Sequence, residues 1–94
     1  MSDFDFSRRA VEEADELLTQ LDEELNRLGV PAPAVQFRVE GASDLIDRQQ
    51  AEQWIMESVD AGFARVGYVL EPLAGKFVVA RLAAFRDADS DFHP

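Results

Sequence analysis

Between Ser7 and Pro31 the chain carries an apolar repeat of helical period that is marked at both ends, and any fold it adopts has to house that helix. Val11, Ala14, Leu18, Leu21, Leu25 and Leu28, joined by Ala10 and Leu17, fall within about a third of a helical wheel. Ser7 is a good N-cap, and Phe6 is spaced to staple onto Val11. Gly29 stands where a left-handed residue closes a helix, Val30 is placed to touch Leu25, and Pro31 forbids continuation. The spacing predicts a helix over residues 8–28.

The remainder reads as strand, helix, strand, strand. Val35, Phe37 and Val39 alternate with polar residues, as in a strand with one buried face. Gly41 to Asp44 is a turn, and a second helix follows, beginning at Asp44 or Asp47, with Ala51, Trp54, Ile55 and Val59 on its apolar side; Asp47 with Gln50 would make a capping box, and Gly62 ends the helix. Arg65 to Leu70 is a strand, Glu71 to Gly75 a hairpin connection, and Lys76 to Phe85 the most apolar strand. Gly67, inside a strand, marks a bulge or a close backbone approach. The fold class is therefore α+β, in the order αβαββ. Placing the most apolar strand centrally gives an antiparallel-containing sheet of order 1-3-2, half of a ferredoxin-like fold, with a right-handed crossover between the first two strands. The first helix either covers the same sheet face as the second or mediates dimerisation.

A chain of 94 residues with 47% hydrophobic content makes one domain. The expected organisation is a domain over 1–86, comprising an arm at 1–7, the acidic helix at 8–28 and a βαββ core at 35–85, followed by an acidic tail at 87–94. The absence of cysteine excludes disulfides, thiolate metal sites and thiol nucleophiles. The opening MSDFDFSRRAVEE lacks the apolar stretch of a signal peptide, and no apolar run reaches the ~20 residues of a membrane span, so the expected location is cytoplasmic.

The net charge of −10 is unevenly spread: residues 1–28 carry −6, residues 29–86 only −1, and residues 87–94 the remaining −3. Direct binding to nucleic acid or an anionic membrane is disfavoured, because phosphate attraction needs a basic surface. A basic protein surface is the favoured partner.

Catalytic patterns are missing. His93 is the sole histidine and stands next to last, without the held environment that a general base requires. Asp87, Asp89 and Asp91 imitate the opening of a calcium loop, but Phe92 occupies the position that needs glycine. Ser7, Ser43, Ser58 and Ser90 lack a nucleophile context, and no phosphate-cradling glycine motif occurs. Glu40, Asp44 and Asp47, around the sheet edge, are the least unfavourable candidates for acid–base work, whereas the carboxylates of the first helix share one exposed face, where their environments do not split their pKa values. The expectation is a protein that is not an enzyme, with no catalytic set, cofactor or metal. The candidate binding residues are Glu12, Glu13, Asp15, Glu16, Asp22, Glu23 and Glu24 on the first helix. Phe4 and Phe92 in the acidic ends are candidate apolar anchors. Arg9–Glu13 and Glu23–Arg27 have the spacing of stabilising pairs, whereas Glu12–Glu16 is a like-charge pair. A solvated helix face is the alternative reading of this acid.

A strand, Ser43-Asp44-Leu45, a helix, Ala61-Gly62-Phe63 with Arg65-Val66, and a hairpin with a Gly-Lys turn, all preceded by a long acidic helix, are similar to the small acidic RraB-type inhibitors of ribonuclease E. The resemblance spans roughly residues 8–85. It implies a ferredoxin-like core and inhibition of a nucleic-acid-handling enzyme, although this chain is shorter and its tail holds only three Asp. In length, acidity and lack of a catalytic set the chain is also similar to small acidic phage anti-CRISPR proteins, which occupy basic grooves as nucleic-acid mimics. The expected function is inhibition or regulation of a nucleic-acid-handling protein by protein–protein interaction. The alternative is a self-assembling ferredoxin-like dimer, or a small subunit of a larger complex, built through sheet edges and the leucine face of the first helix.

Overall fold

The computed structural model describes residues 6–31, 34–72 and 78–86. Its elements are α1 (Arg8–Leu28), β1 (Val35–Val39), α2 (Arg48–Asp60), β2 (Arg65–Pro72) and β3 (Val78–Phe85). The strands form one sheet in the order β1-β3-β2, so the α+β class, the element order and the central place of the most apolar strand are as the sequence predicts.

Both helices are fixed by their caps. The Ser7 hydroxyl accepts from the Ala10 N–H at 3.1 Å. At the other end Gly29 adopts φ 74°, its N–H bonds to the Asn26 carbonyl, and the Val30 N–H bonds to the Leu25 carbonyl, the paired closure that a left-handed residue permits. In α2 the Asp47 carboxylate accepts from the Gln50 N–H at 2.8 Å while the Gln50 side chain accepts from the Asp47 N–H at 3.1 Å, which is the expected capping box.

The buried line of α1 is Ala10, Ala14, Leu18, Leu21 and Leu25. Two residues of the expected stripe lie outside it: Val11 is 49% exposed and Leu28 61% exposed. Val11 is about 100° of helix rotation from Ala10, and Leu28 ends the helix beyond the contact. Phe6 packs against the core cluster, so the entry of the chain does not depend on a staple to Val11. On α2, Ala51, Ile55, Ser58 and Val59 are buried and Trp54 is half-buried. The Ser58 hydroxyl is satisfied by donating to the Trp54 carbonyl at 2.8 Å.

These side chains join Phe37 of β1, Val66 of β2, and Ala80 and Leu82 of β3 in one core cluster, so both helices cover the same face of the sheet. The helices run antiparallel, since Ser7 at the start of α1 bonds Asp60 at the end of α2, and Asp22 bonds Arg48 at the start of α2. Strand alternation puts Arg38, Arg65, Glu71 and Arg81 on the opposite face. There Glu71 receives Arg38 at 3.1 Å and Arg81 at 3.7 Å, and Arg65 lies 4.9 Å over the Phe85 ring. β2 pairs with β3 in unbroken register from Arg65 to Pro72, so Gly67 marks no bulge.

One feature of the sheet departs from half of a ferredoxin-like fold. In that arrangement β1 and β2 are parallel, with β3 antiparallel between them. Here β1 runs parallel to β3, and β2 runs antiparallel to β3. β1 and β2 are therefore antiparallel to each other, and no right-handed crossover joins them. The cause lies in residues 40–47. Gly41 adopts φ 88°, Ala42 closes a turn onto Val39, and the chain doubles back along the outer edge of β1. Ile46 then exchanges two backbone hydrogen bonds with Phe37, of 3.1 and 2.7 Å. α2 consequently starts beside Val35 and Gln36 and ends beside Val39, and β2 has to leave from that end.

The buried line of α1 determines which substitutions on it cost stability. Leu21→Ala is expected to cost about 2–5 kcal/mol, as for a leucine removed from a closed core. Val11→Ala is expected to stay within about 0.5 kcal/mol. Urea denaturation of the two variants measures both, and equal losses would contradict this placement of α1.

Candidate protein-binding face of helix α1

The rotation of α1 sorts its seven candidate carboxylates. With the buried line facing inward, Glu12, Glu16 and Glu23 fall on the outermost ridge, within about 40° of one another at 100° per residue. All three are exposed, as is Asp15 beside them. Glu12 accepts from the Arg8 guanidinium at 3.0 Å, a pair between two strongly exposed side chains. Asp15, Glu16 and Glu23 form no ion pair among the described residues, so the expected Glu23–Arg27 contact is not made. The expected Arg9–Glu13 pair is present at 3.4 Å, on the half-buried flank that faces β2.

Two of the seven are held within the fold. Asp22 takes both Arg48 nitrogens, Nη1 and Nη2, at 2.8 Å each, a fork-to-fork pair between α1 and the first turn of α2. That hydrogen bond to Asp22 is the main cause that raises the Arg48 pKa above its ordinary value. Glu24, half-buried, accepts from the Tyr68 hydroxyl at 2.5 Å. Burial first, and then that bond to Glu24, push the Tyr68 phenol well above its ordinary pKa. The helix thus presents a central ridge to solvent and commits one carboxylate on each flank, one to α2 and one to β2.

No protein-family model, curated protein or solved structure matches the chain.

The remaining sequence candidates fall elsewhere. Phe4 and Phe92 lie outside the described residues, as do His93 and the aspartates of the tail. Asp47 is occupied as the α2 cap, and Glu40 and Asp44 are exposed on the returning segment. Leu18, Leu21 and Leu25, offered by the sequence as a dimer face, are buried in this chain's own core. Sequence reasoning missed Asp60, whose carboxylate accepts from the Ser7 backbone N–H at 2.9 Å and from the Ser7 hydroxyl. Those two bonds, the hydroxyl first, hold the Asp60 pKa below the ordinary aspartate value. The pairs Ser7–Asp60, Asp22–Arg48 and Glu24–Tyr68 join residues far apart in sequence, and no local pattern announces them.

Two of the three shifted groups, Asp60 and Tyr68, act at opposite ends of the pH scale. Asp60 is depressed in the folded state, so its contribution is present above about pH 4 and is lost as the pH falls through the folded value. Tyr68 is raised, so its contribution is complete below about pH 10 and is lost as the pH climbs towards the folded value. Tyr68→Phe should flatten the loss of stability above about pH 10 and cost about 1.5 kcal/mol at neutral pH, the low end for a hydrogen bond to a charged group that is partly solvated. Thermal melts of both proteins across neutral and alkaline pH measure this, and an unchanged alkaline slope in the variant would remove Tyr68 as its source.

Proposed function

We propose that this protein is a non-enzymatic inhibitor or regulator that places the outer ridge of α1 on an Arg/Lys-lined surface of a nucleic-acid-handling protein in the cytoplasm. The proposed mode is competition with nucleic acid by charge and by bulk, as in the groove-occupying acidic anti-CRISPR proteins, and the resemblance to RraB-type ribonuclease inhibitors suggests a ribonuclease as one class of target. The observation that carries the reading is the division of the acids on α1. Asp22 and Glu24 stabilise the fold, whereas Glu12, Asp15, Glu16 and Glu23 project away from the core and, apart from the exposed Arg8–Glu12 pair, take no part in holding it together.

Spacing supports the same reading. From Glu12 to Glu23 the helix rises about 16 Å, and the three ridge carboxylates follow one another at a mean of about 8 Å along the axis, with Asp15 exposed on the flank. A nucleic-acid strand presents a phosphate about every 3.4 Å, so the ridge is a polyanion of roughly half that linear density. Individual rim pairs contribute only about 0.2–1 kcal/mol, so the ridge acts mainly by steering and orienting the encounter. Slow release requires apolar anchors, a role proposed for Phe4 and Phe92.

Pull-down from host lysate at low and high salt, with mass spectrometry of the bound proteins, identifies the partner. The triple variant Glu12→Lys, Glu16→Lys and Glu23→Lys should then bind that partner about 10²–10⁴-fold more weakly, from lost attraction and new repulsion at three positions. Its circular dichroism should remain that of the native fold, because none of the three sites is in the core. Unchanged affinity in the triple variant, measured by calorimetry, would refute the proposal.

A further inference from the structure

The two edges of the sheet are treated differently. The outer edge of β1 is closed by the returning segment, through the Phe37–Ile46 hydrogen bonds. The outer edge of β2 has no strand or bridge against it among the described residues. Edge strands are ordinarily protected by shortness, by a bulge, by an inward-pointing charge, or by lysine or proline within the strand. β2 is eight residues long, keeps an unbroken register with β3, and has its only proline at the last position. The side chains it turns towards the helices, Val66, Tyr68 and Leu70, are uncharged. A regular edge of this length presents a row of backbone donors and acceptors suited to another strand. Beside it runs an open groove of about 570 Å³, bordered by Val66 to Leu70 and by Leu17, Gln20 and Glu24 of α1.

The order of residues along β2 selects the occupant. Read in opposite directions from Tyr68, Gly67, Val66 and Arg65 meet Val69, Leu70 and Glu71. In an antiparallel pair of two copies centred on Tyr68, base therefore faces acid and Val66 faces Leu70, once on each side of the axis. Directly opposed residues lie on the same face of a sheet, so Val66, Tyr68 and Leu70 of both copies stay on the side covered by helices. Moving the centre to Gly67 sets Arg65 against Val69, and moving it to Val69 sets Glu71 against Gly67, so either shift loses both charge pairs. Glu71 already gathers Arg38 and Arg81, and a carboxylate has lone pairs for a further guanidinium.

We infer that the protein forms a two-fold homodimer by antiparallel pairing of β2 with β2 of a second copy about Tyr68, which joins the two sheets into one. The pairing leaves Glu12, Glu16 and Glu23 uncovered and does not rest on the proposed function. Because Tyr68 holds Glu24, the two α1 helices come nearest each other at Glu24, acid to acid. Each copy also carries a net charge of −10, and salt screens this overall repulsion together with the Glu24 contact. It screens the two Arg65–Glu71 pairs as well, but surface ion pairs contribute little each. Added salt therefore strengthens the dimer whereas it weakens docking onto a basic partner, and the two readings succeed or fail separately.

The test uses the full chain. Sedimentation equilibrium should give twice the 10.5 kDa chain mass, with dissociation on dilution and tighter association in 500 mM than in 50 mM NaCl, the lower salt leaving charges less screened. Hydrogen exchange should slow at least about tenfold for edge amides within residues 66–70 between dilute and concentrated samples, since these are the amides that pairing covers. The chain has no native cysteine, so Tyr68→Cys should form a disulfide-linked dimer on mild oxidation, because opposed Cα atoms in an antiparallel pair lie about 4.5–5.5 Å apart. Thr19→Cys, on the outer side of α1, should not. If Tyr68→Cys fails to fold, a mixture of Gly67→Cys and Val69→Cys chains should cross-link to each other at the same register. A monomer at the highest soluble concentration overturns the inference. So does a dimer with unprotected β2 amides, a dimer linked through Thr19→Cys alone, or a β2 edge that becomes protected only when a different protein binds.

Discussion

Five side chains of α1, from Ala10 to Leu25, are almost wholly out of water, and their line sets the rotation of the helix about its own axis. Each buried leucine contributes roughly 1.5–3 kcal/mol, against at most about 1 kcal/mol for an exposed ion pair, so apolar burial and not charge decides which way the helix faces. The placement of the acids on α1 follows from that rotation. Glu12, Glu16 and Glu23 point outward because they are opposite the buried line. Asp22 reaches α2 and Glu24 reaches β2 because they sit on its two flanks, about 200° apart around the helix. The Asp22–Arg48 and Ser7–Asp60 contacts then fasten a helix pair whose arrangement packing has already chosen.

What could be read in the sequence was what local chemistry decides. The ends of α1 were legible because Ser7, Gly29 and Pro31 each have a backbone reason to stand there, and the start of α2 because Asp47 and Gln50 satisfy each other's N–H groups. The strand order followed from the apolar character of β3, which only a central strand can bury. The direction of β1 did not follow, because it is set by whether residues 40–47 continue outward or fold back. That choice rests on two backbone hydrogen bonds between Phe37 and Ile46, and backbone groups carry no side-chain signature. The exposure of Leu28 escaped for a different reason: a helical wheel treats the helix as endless, whereas its neighbours are not. Of the candidate face, the overall acidity was plain, but the removal of Asp22 and Glu24 from it was not, since Arg48 and Tyr68 lie 26 and 44 residues away.

The fold also separates charge. A nearly neutral stretch of sequence places Arg38, Arg65 and Arg81 on the sheet face that α1 does not cover, with Glu71 among them. The acidic ridge and this arginine-bearing face look in opposite directions. A protein surface rich in arginine and lysine would draw the first and repel the second, so the molecule would be turned to the correct side before contact. Pairing through β2 would compound this effect. The two-fold axis of such a dimer stands across the sheet, so both copies of α1 lie on one side of it and both arginine-bearing faces on the other. Two ridges held side by side convert the second contact with a long basic groove into an intramolecular event, which raises avidity without any new contact within either copy. A partner whose basic surface is too short to reach both ridges would gain nothing from the dimer, so assembly through β2 would select for extended basic grooves over isolated basic patches.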